Sequence, residues 1–203
     1  MNKKRIGIFG GTFSPPHSGH VSAAEQFARA LNLDELLIIP DYLPPHKQID
    51  GEVSAQERVE MCEIAFMHIQ NASVSRIEID RGGRSYTSVT LEDLSSPSAD
   101  LYFLCGTDMF VTLDEWYRPE TIFRLATICL IRRENEPNVD NLIKVKKKQY
   151  EKRFGARIVL IDAKVTEVSS SNLRFALRVG DAESLRLIPT SVYEYIKRKG
   201  LYQ

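Results

Sequence analysis

Short unbroken apolar runs alternate along the chain with stretches whose apolar residues return every three or four positions. Ile6 to Phe9 is the first run, closed by Gly10 and Gly11; behind it Val21, Ala24, Ala28 and Leu31 fall on one helical face. Leu36 to Ile39 predicts a buried strand stopped by Pro40. Ser54 with Glu57 forms a capping box that opens a helix carrying Val59, Cys62, Phe66 and Ile69. Val74 to Ile79 alternates like a strand with one wet face. Tyr102 to Cys105 and Ile128 to Ile131 are continuous apolar runs, as strands covered on both faces require. Residues 141–153 predict a lysine-rich helix, Arg157 to Ile161 a further strand, and Ser169 to Lys199 two or three short helices punctuated by Gly180 and Pro189. This alternation implies an α/β fold: a doubly wound, mostly parallel sheet with helices on both faces and a small C-terminal helical tail. With no repeat or linker, residues 1–203 form one domain, of which 169–203 is the helical part.

Composition narrows the function classes. The 27 Lys and Arg residues balance 27 Asp and Glu residues, which removes any global electrostatic case for nucleic acid or a membrane surface. An anionic partner has to be met by a local site. The lysine-rich stretch 144–153 is expected to be a solvated helix face. Cys62, Cys105 and Cys129 are far apart and set in apolar surroundings, as reduced core thiols are. The apolar stretch behind the basic start is far shorter than the ~7–15 residues of a signal-peptide core. These features predict a soluble, cytoplasmic protein, with its number of copies open and a homo-oligomer among the possibilities.

The candidate chemistry lies at the first strand-to-helix turn, "GGTFSPPHSGH", Gly10 to His20. Ligands of open parallel sheets bind beyond the carboxyl ends of the strands, and this turn is the usual phosphate site. Gly10 and Gly11 let backbone approach a ligand closely, and a helix starting near Ser18 to His20 aims amides and the positive dipole end at an anion. His17 and His20 stand one turn apart at that mouth, with Gly19 leaving room between them. A zinc site would need a third and fourth ligand, and the local sequence offers none. The better reading is that the imidazoles donate to phosphate oxygens and stabilise charge on a phosphorus under attack. His68, alone elsewhere, is expected to be structural.

At these residues the chain resembles the T/HxGH nucleotidyltransferase superfamily, with a Rossmann-like fold, and is similar along almost its whole length to bacterial nicotinate-nucleotide adenylyltransferases. "PPHK" (Pro44 to Lys47), "RSYT" (Arg84 to Thr87), "CGTDMF" (Cys105 to Phe110), "LDEWY" (Leu113 to Tyr117), "LIRR" (Leu130 to Arg133) and "VSSSNLR" (Val168 to Arg174) follow in the family's order. The resemblance implies transfer of AMP from ATP to nicotinate mononucleotide, giving deamido-NAD and pyrophosphate in NAD biosynthesis. It implies ATP contacts from Gly10, Gly11, Thr12, Phe13, His17, Gly19, His20, Gly106, Asp108, Arg133, Ser169, Ser170, Ser171 and Arg174. Acceptor contacts fall to Lys47, Tyr86, Thr87, Asp108, Trp116 and Tyr117, and His17, His20, Lys47 and Arg174 become the catalytic set. Magnesium would come with ATP, and no protein metal ligand is assigned.

Each position also has a plainer reading. The serine triplet suits a helix cap, Asp108 an N-cap, Lys47 the surface, and Trp116 core or edge packing. In the family, a Trp at this position stacks on the pyridine ring while Tyr117 and the Tyr86–Thr87 segment hold its carboxylate, largely through amides, which favours nicotinate over nicotinamide. Where the family commonly has an acidic residue, this chain has Ser14, so altered tuning rather than lost activity is expected. The rival readings are a sister transferase acting on phosphopantetheine or charging a sugar or lipid phosphate, a non-catalytic dinucleotide-binding module, and a metal-dependent hydrolase.

Overall fold

The computed structural model describes residues 3–45, 53–133, 137–165 and 168–203. Six parallel strands form one sheet in the order β3-β2-β1-β4-β5-β6. They are β1 (Lys4–Gly11), β2 (Glu35–Pro40), β3 (Ala72–Val74), β4 (Ala99–Cys105), β5 (Ala126–Arg133) and β6 (Ile158–Val165). The helices are α1 (Ser18–Leu31), α2 (Ala55–Phe66), α3 (Ile77–Arg81), α4 (Thr87–Leu94), α5 (Thr107–Thr112), α6 (Pro119–Leu125), α7 (Pro137–Phe154), α8 (Ser170–Val179), α9 (Ala182–Leu185) and α10 (Thr190–Lys199). The last three make the expected helical tail. Among the described residues no helix is long and apolar enough to cross a membrane.

The continuous apolar runs do what buried parallel strands require: successive residues enter opposite apolar layers. Leu104, Cys129 and Ile131 face one layer with Phe27, Cys62 and Phe66, whereas Ile8, Phe103, Cys105, Ile128 and Leu130 face the other with Phe110, Ile122 and Tyr150. A fully buried side chain of this size contributes about 1.5–3 kcal/mol, so both layers hold the strand ends in place. All three cysteines are buried and unpaired, as expected. On α7, Ile143 and Tyr150 are buried while Lys144 and Lys148 are exposed, a solvated basic face over an apolar one.

Two expectations are corrected. Val74 to Ile79 is not one strand: β3 ends at Val74, and α3 starts at Ile77. The register with β2 gives out at Val74, Ser75 donates to the Ile38 carbonyl, and the Ser75 hydroxyl accepts from the Ile77 amide. Glu78 and Asp80 then sit in the first turn, where the helix dipole favours them. Glu78, expected on a wet face, is buried and accepts from Thr90 Oγ1 at 2.6 Å. The helix opened by the Ser54–Glu57 box is real but ends at Phe66, with Ile69 buried in the turn beyond it.

Candidate active site

β1 and β4 lie side by side, and the chain leaves them toward opposite layers, α1 packing on the Phe27 side and α5 on the Phe110 side. The crevice that results at their carboxyl ends holds a cavity of about 570 Å³. Its lining includes Gly10, Gly11 and Thr12 from the end of β1 and the turn after it, Asp41, Pro44 and Pro45 from beyond β2, Tyr86 and Thr87 at the start of α4, and Phe103, Trp116, Tyr117 and Ile122.

On the other side of the same turn, the two histidines cap α1. The His20 amide donates to His17 Nδ1 and the His17 amide to His20 Nδ1, each at 3.3 Å. The rings stack 3.6 Å apart and 20° from parallel. This is a capping box in which both partners are imidazoles. Because both Nδ1 atoms accept, each neutral ring carries its hydrogen on Nε2, the tautomer that donates to a phosphate oxygen. Gly19 is buried between them. Phe13, at φ 48°, turns its ring into the core against Phe9, Phe66 and the edge of His20, so any ligand contact from Phe13 comes from its backbone. At Gly11 a Cβ would stand 3.1 Å from that ring, close enough that the ring would have to give way slightly.

The turn between Gly11 and α1 is held from outside. Arg58, wholly buried on α2, donates to the Thr12 carbonyl at 2.9 Å, the Asp41 carboxylate at 3.1 Å and the Asp41 carbonyl at 2.6 Å. Thr12 Oγ1 donates to the other Asp41 oxygen at 2.7 Å. From α8, Arg174 donates to the Ser14 carbonyl at 2.9 Å and Ser170 to the Pro15 carbonyl at 3.3 Å. The Ser18 amide donates to the Leu187 carbonyl, and the Ser14 and Tyr202 hydroxyls pair at 2.9 Å. Ser169 is the N-cap of α8, and Ser171 accepts from Arg174 at 3.2 Å. The serine motif therefore joins α8 to the histidine turn as well as presenting a helix N-terminus there.

Among the aromatic lining residues, Trp116 packs edge-on to Phe103, and the Tyr117 and Tyr86 ring centres lie 4.4 Å apart. Tyr86 is the N-cap of α4; the first intrahelical bonds are made by the amides of Val89 and Thr90 to its carbonyl, so those of Thr87 and Ser88 precede them. Arg118, at φ 54°, clamps both oxygens of Glu92 on α4, tying the Trp116–Tyr117 loop to the helix that starts at Thr87. Asp108 is not an N-cap: Gly106 takes that place on α5, and Asp108 is exposed on the cavity lining. Glu78 also lines the cavity, and burial pushes its carboxyl above the usual range against the Thr90 hydrogen bond.

Lys47 lies outside the described residues, and of Arg133 the structure describes only its backbone place at the end of β5. His68, as expected, is peripheral, beside Glu25 on the surface. Among the described residues no three His, Cys, Asp or Glu side chains gather as a metal would need. Arg58, Asp41 and Tyr202 escaped the sequence reading. An arginine at an inward-facing position of α2, between Val59 and the capping box, was the one signal that could have exposed Arg58.

A six-stranded parallel sheet with its crevice between the first and fourth strands, a glycine turn and a helix N-terminus defines a Rossmann-like nucleotide-binding protein. The chain belongs to the cytidylyltransferase-like family, which it matches over residues 8–176. A Lactococcus lactis protein named "probable nicotinate-nucleotide adenylyltransferase" is 34% identical over 206 residues, covering 100% of this chain and 97% of that one. A Listeria innocua protein of the same name is 34% identical over 202 residues, with 98% of each chain covered. In fold, the chain is similar to Plasmodium falciparum nicotinic acid mononucleotide adenylyltransferase, with a TM-score of 0.72, 17% identity, and 98% and 97% of the two chains covered. That protein has been solved complexed with NaAD.

Proposed function

We propose that ATP binds over the histidine turn and nicotinate mononucleotide in the adjoining cavity, so that the chain transfers AMP to give deamido-NAD and pyrophosphate. One observation carries the assignment: Gly10 to Thr12 line the same cavity as Tyr86, Trp116 and Tyr117 and lead directly into the His17–His20 box. An oxygen of the acceptor's 5′-phosphate forms a bond to the α-phosphorus of ATP. The bond from that phosphorus to the α,β-bridging oxygen breaks, and pyrophosphate leaves with the electron pair. No covalent enzyme intermediate is needed; catalysis is positioning and electrostatics.

Each group then has one job. His17 and His20 donate from Nε2 to phosphate oxygens, and the α1 N-terminus adds its dipole. The α8 N-terminus, Ser169 to Ser171, and Arg174 hold the β- and γ-phosphates. Lys47 and Arg133 supply further cationic contacts. Magnesium enters with the triphosphate, whose oxygens supply its ligands. Asp108 accepts from a ribose hydroxyl. Trp116 stacks on the pyridine ring, and the Thr87 and Ser88 amides receive its carboxylate, which accepts two hydrogen bonds where a carboxamide would present a donor. Buried, unpaired thiols suit a reducing cytoplasm.

The test is pyrophosphate release from ATP and Mg²⁺ with nicotinate mononucleotide, nicotinamide mononucleotide or phosphopantetheine offered separately, the product being identified by mass. Fast turnover with the nicotinate form alone is expected. Preference for another acceptor would overturn the substrate, and silence with all of them would overturn the transferase.

A further inference from the structure

We propose that Tyr202 and Ser14 are a positioning pair for the transfer reaction, holding His17 in register from the segment that follows α10; this rests on the function proposed above. The two hydroxyls lie 2.9 Å apart across 188 positions of sequence, and both residues are buried, Ser14 at 6% and Tyr202 at 2% exposure. A buried pair of this kind is expensive to break, because each lost partner leaves the other unsatisfied. Burial lifts the Tyr202 hydroxyl to about 12, so it keeps its proton throughout the neutral range.

Two further observations give the pair a mechanical consequence. Tyr202 adopts φ 61°, a left-handed conformation unfavourable for a non-glycine residue, and in that conformation its hydroxyl reaches the turn. Beyond Ser14 come Pro15 and Pro16, whose φ angles are fixed, and then His17. With two of the intervening torsions locked, a shift at Ser14 passes to His17 instead of being absorbed. Arg174 holds the carbonyl of Ser14, and Tyr202 holds its side chain. The residue is therefore gripped on two sides immediately ahead of the stiff link. A displacement well under 1 Å at the imidazoles is enough to matter in a reaction that works by alignment.

The experiment compares Tyr202→Phe, Ser14→Ala and the double variant with Tyr195→Phe as control. Tyr195 loses a comparable bond, to Glu60 at 2.6 Å, on α10 and away from the turn. Tyr202→Phe and Ser14→Ala should each lower kcat about fivefold, leave KM for nicotinate mononucleotide within about twofold, and not multiply in the double variant. Tyr195→Phe should keep its kcat. Hydrogen exchange supplies a readout independent of activity: in Tyr202→Phe the amides of Ser18 and His20 should exchange faster, while those of Ile8 and Phe103 in the sheet do not. Wild-type kcat with unaltered exchange at Ser18 and His20, or losses that multiply, would overturn the pairing. If Tyr202→Phe fails to fold, Ser14→Ala decides the matter from the other side. Should the wild type release no pyrophosphate, the function falls and the exchange pattern still tests the pair.

Discussion

Three glycines on β1 offer a test in which one added methyl group reports three different things. Gly10 aligns with Ile39 on the cavity face, and a Cβ there would meet only the Ile39 carbonyl, at 4.0 Å. Gly7 points into the opposite layer, where a Cβ would stand 2.3 Å from Leu33 Cδ1 and 2.9 Å from Phe27 Cε1. Overfilling a packed layer costs about 1–3 kcal/mol. At roughly 2–4 °C per kcal/mol for a chain of this size, Gly7→Ala should lower Tm by roughly 2–12 °C while the folded fraction keeps its activity. Gly10→Ala should fold as well as the parent or better, because alanine reduces the freedom of the unfolded chain by about 0.4–1 kcal/mol. Under the proposed function its methyl occupies the space assigned to the reacting phosphates. The same 1–3 kcal/mol, now charged to the bound substrates, lowers kcat/KM about 5- to 150-fold. Gly11→Ala should fall between, since the Phe13 ring at 3.1 Å has to yield a few tenths of an ångström. Pyrophosphate release with thermal melts on the same preparations gives both quantities. Full kcat/KM in Gly10→Ala, or a larger loss of Tm there than in Gly7→Ala, would refute the placement of the substrates over this turn.

Arg58→Met should destabilise by about 3–5 kcal/mol, because it leaves the Asp41 carboxylate buried without its cation; adding Asp41→Asn should recover part of the lost Tm. Trp116→Ala should lower kcat/KM for nicotinate mononucleotide about 10- to 100-fold with Trp116→Phe close to the parent, the scale of a lost stacking partner plus its buried area, as steady-state kinetics would show. Burial raises the Glu78 carboxyl above its ordinary 4.5, so the unfolded chain loses this proton first and stability falls as pH rises through the interval between the two values. Glu78→Gln should therefore raise Tm at pH 7 and lose that advantage below about pH 4, as melts across the range would reveal. Burial also pushes the Cys129 thiol up to about 12 and those of Cys62 and Cys105 well above the usual thiol range, so a thiol reagent at pH 8 should label the native protein slowly and all three cysteines after denaturation.

Where sequence was a good guide, the relevant physics was local. Apolar runs marked five of the six strands, most directly β2, β4 and β5, because a strand covered on both faces is continuously apolar, and the Ser54–Glu57 box marked the start of α2 because its partners are three residues apart. The glycine turn and the histidine pair were equally visible, since a capping box and a close backbone approach are written within one turn of helix. Val74 to Ile79 failed for a reason that is not local. Whether Glu78 faces water depends on Thr90, which covers it, and on where β2 stops offering a ladder. Arg58 and Tyr202 were hidden for the same reason at longer range: their partners on the phosphate turn lie 46 and 188 positions away. Spacing could nominate the groups proposed to touch phosphate, but not those that brace the turn carrying them.

The charge arrangement explains why those supports matter. Both proposed substrates are anions, yet Asp41, Glu78, Asp108 and Glu115 line the cavity assigned to nicotinate mononucleotide. Near the turn this negative charge is engaged: Asp41 is bound by Arg58 and Thr12, and the buried Glu78 accepts from Thr90. What the turn would offer to phosphates under the proposed function is a helix N-terminus and two imidazoles, donors that must be aimed. Their aim comes from the helix cap itself. Each Nδ1 is engaged as an acceptor, which fixes the ring plane and puts the hydrogen on Nε2. Capping α1 and presenting the reactive tautomer are thus one arrangement of the same atoms, and whatever loosens the turn disturbs both together.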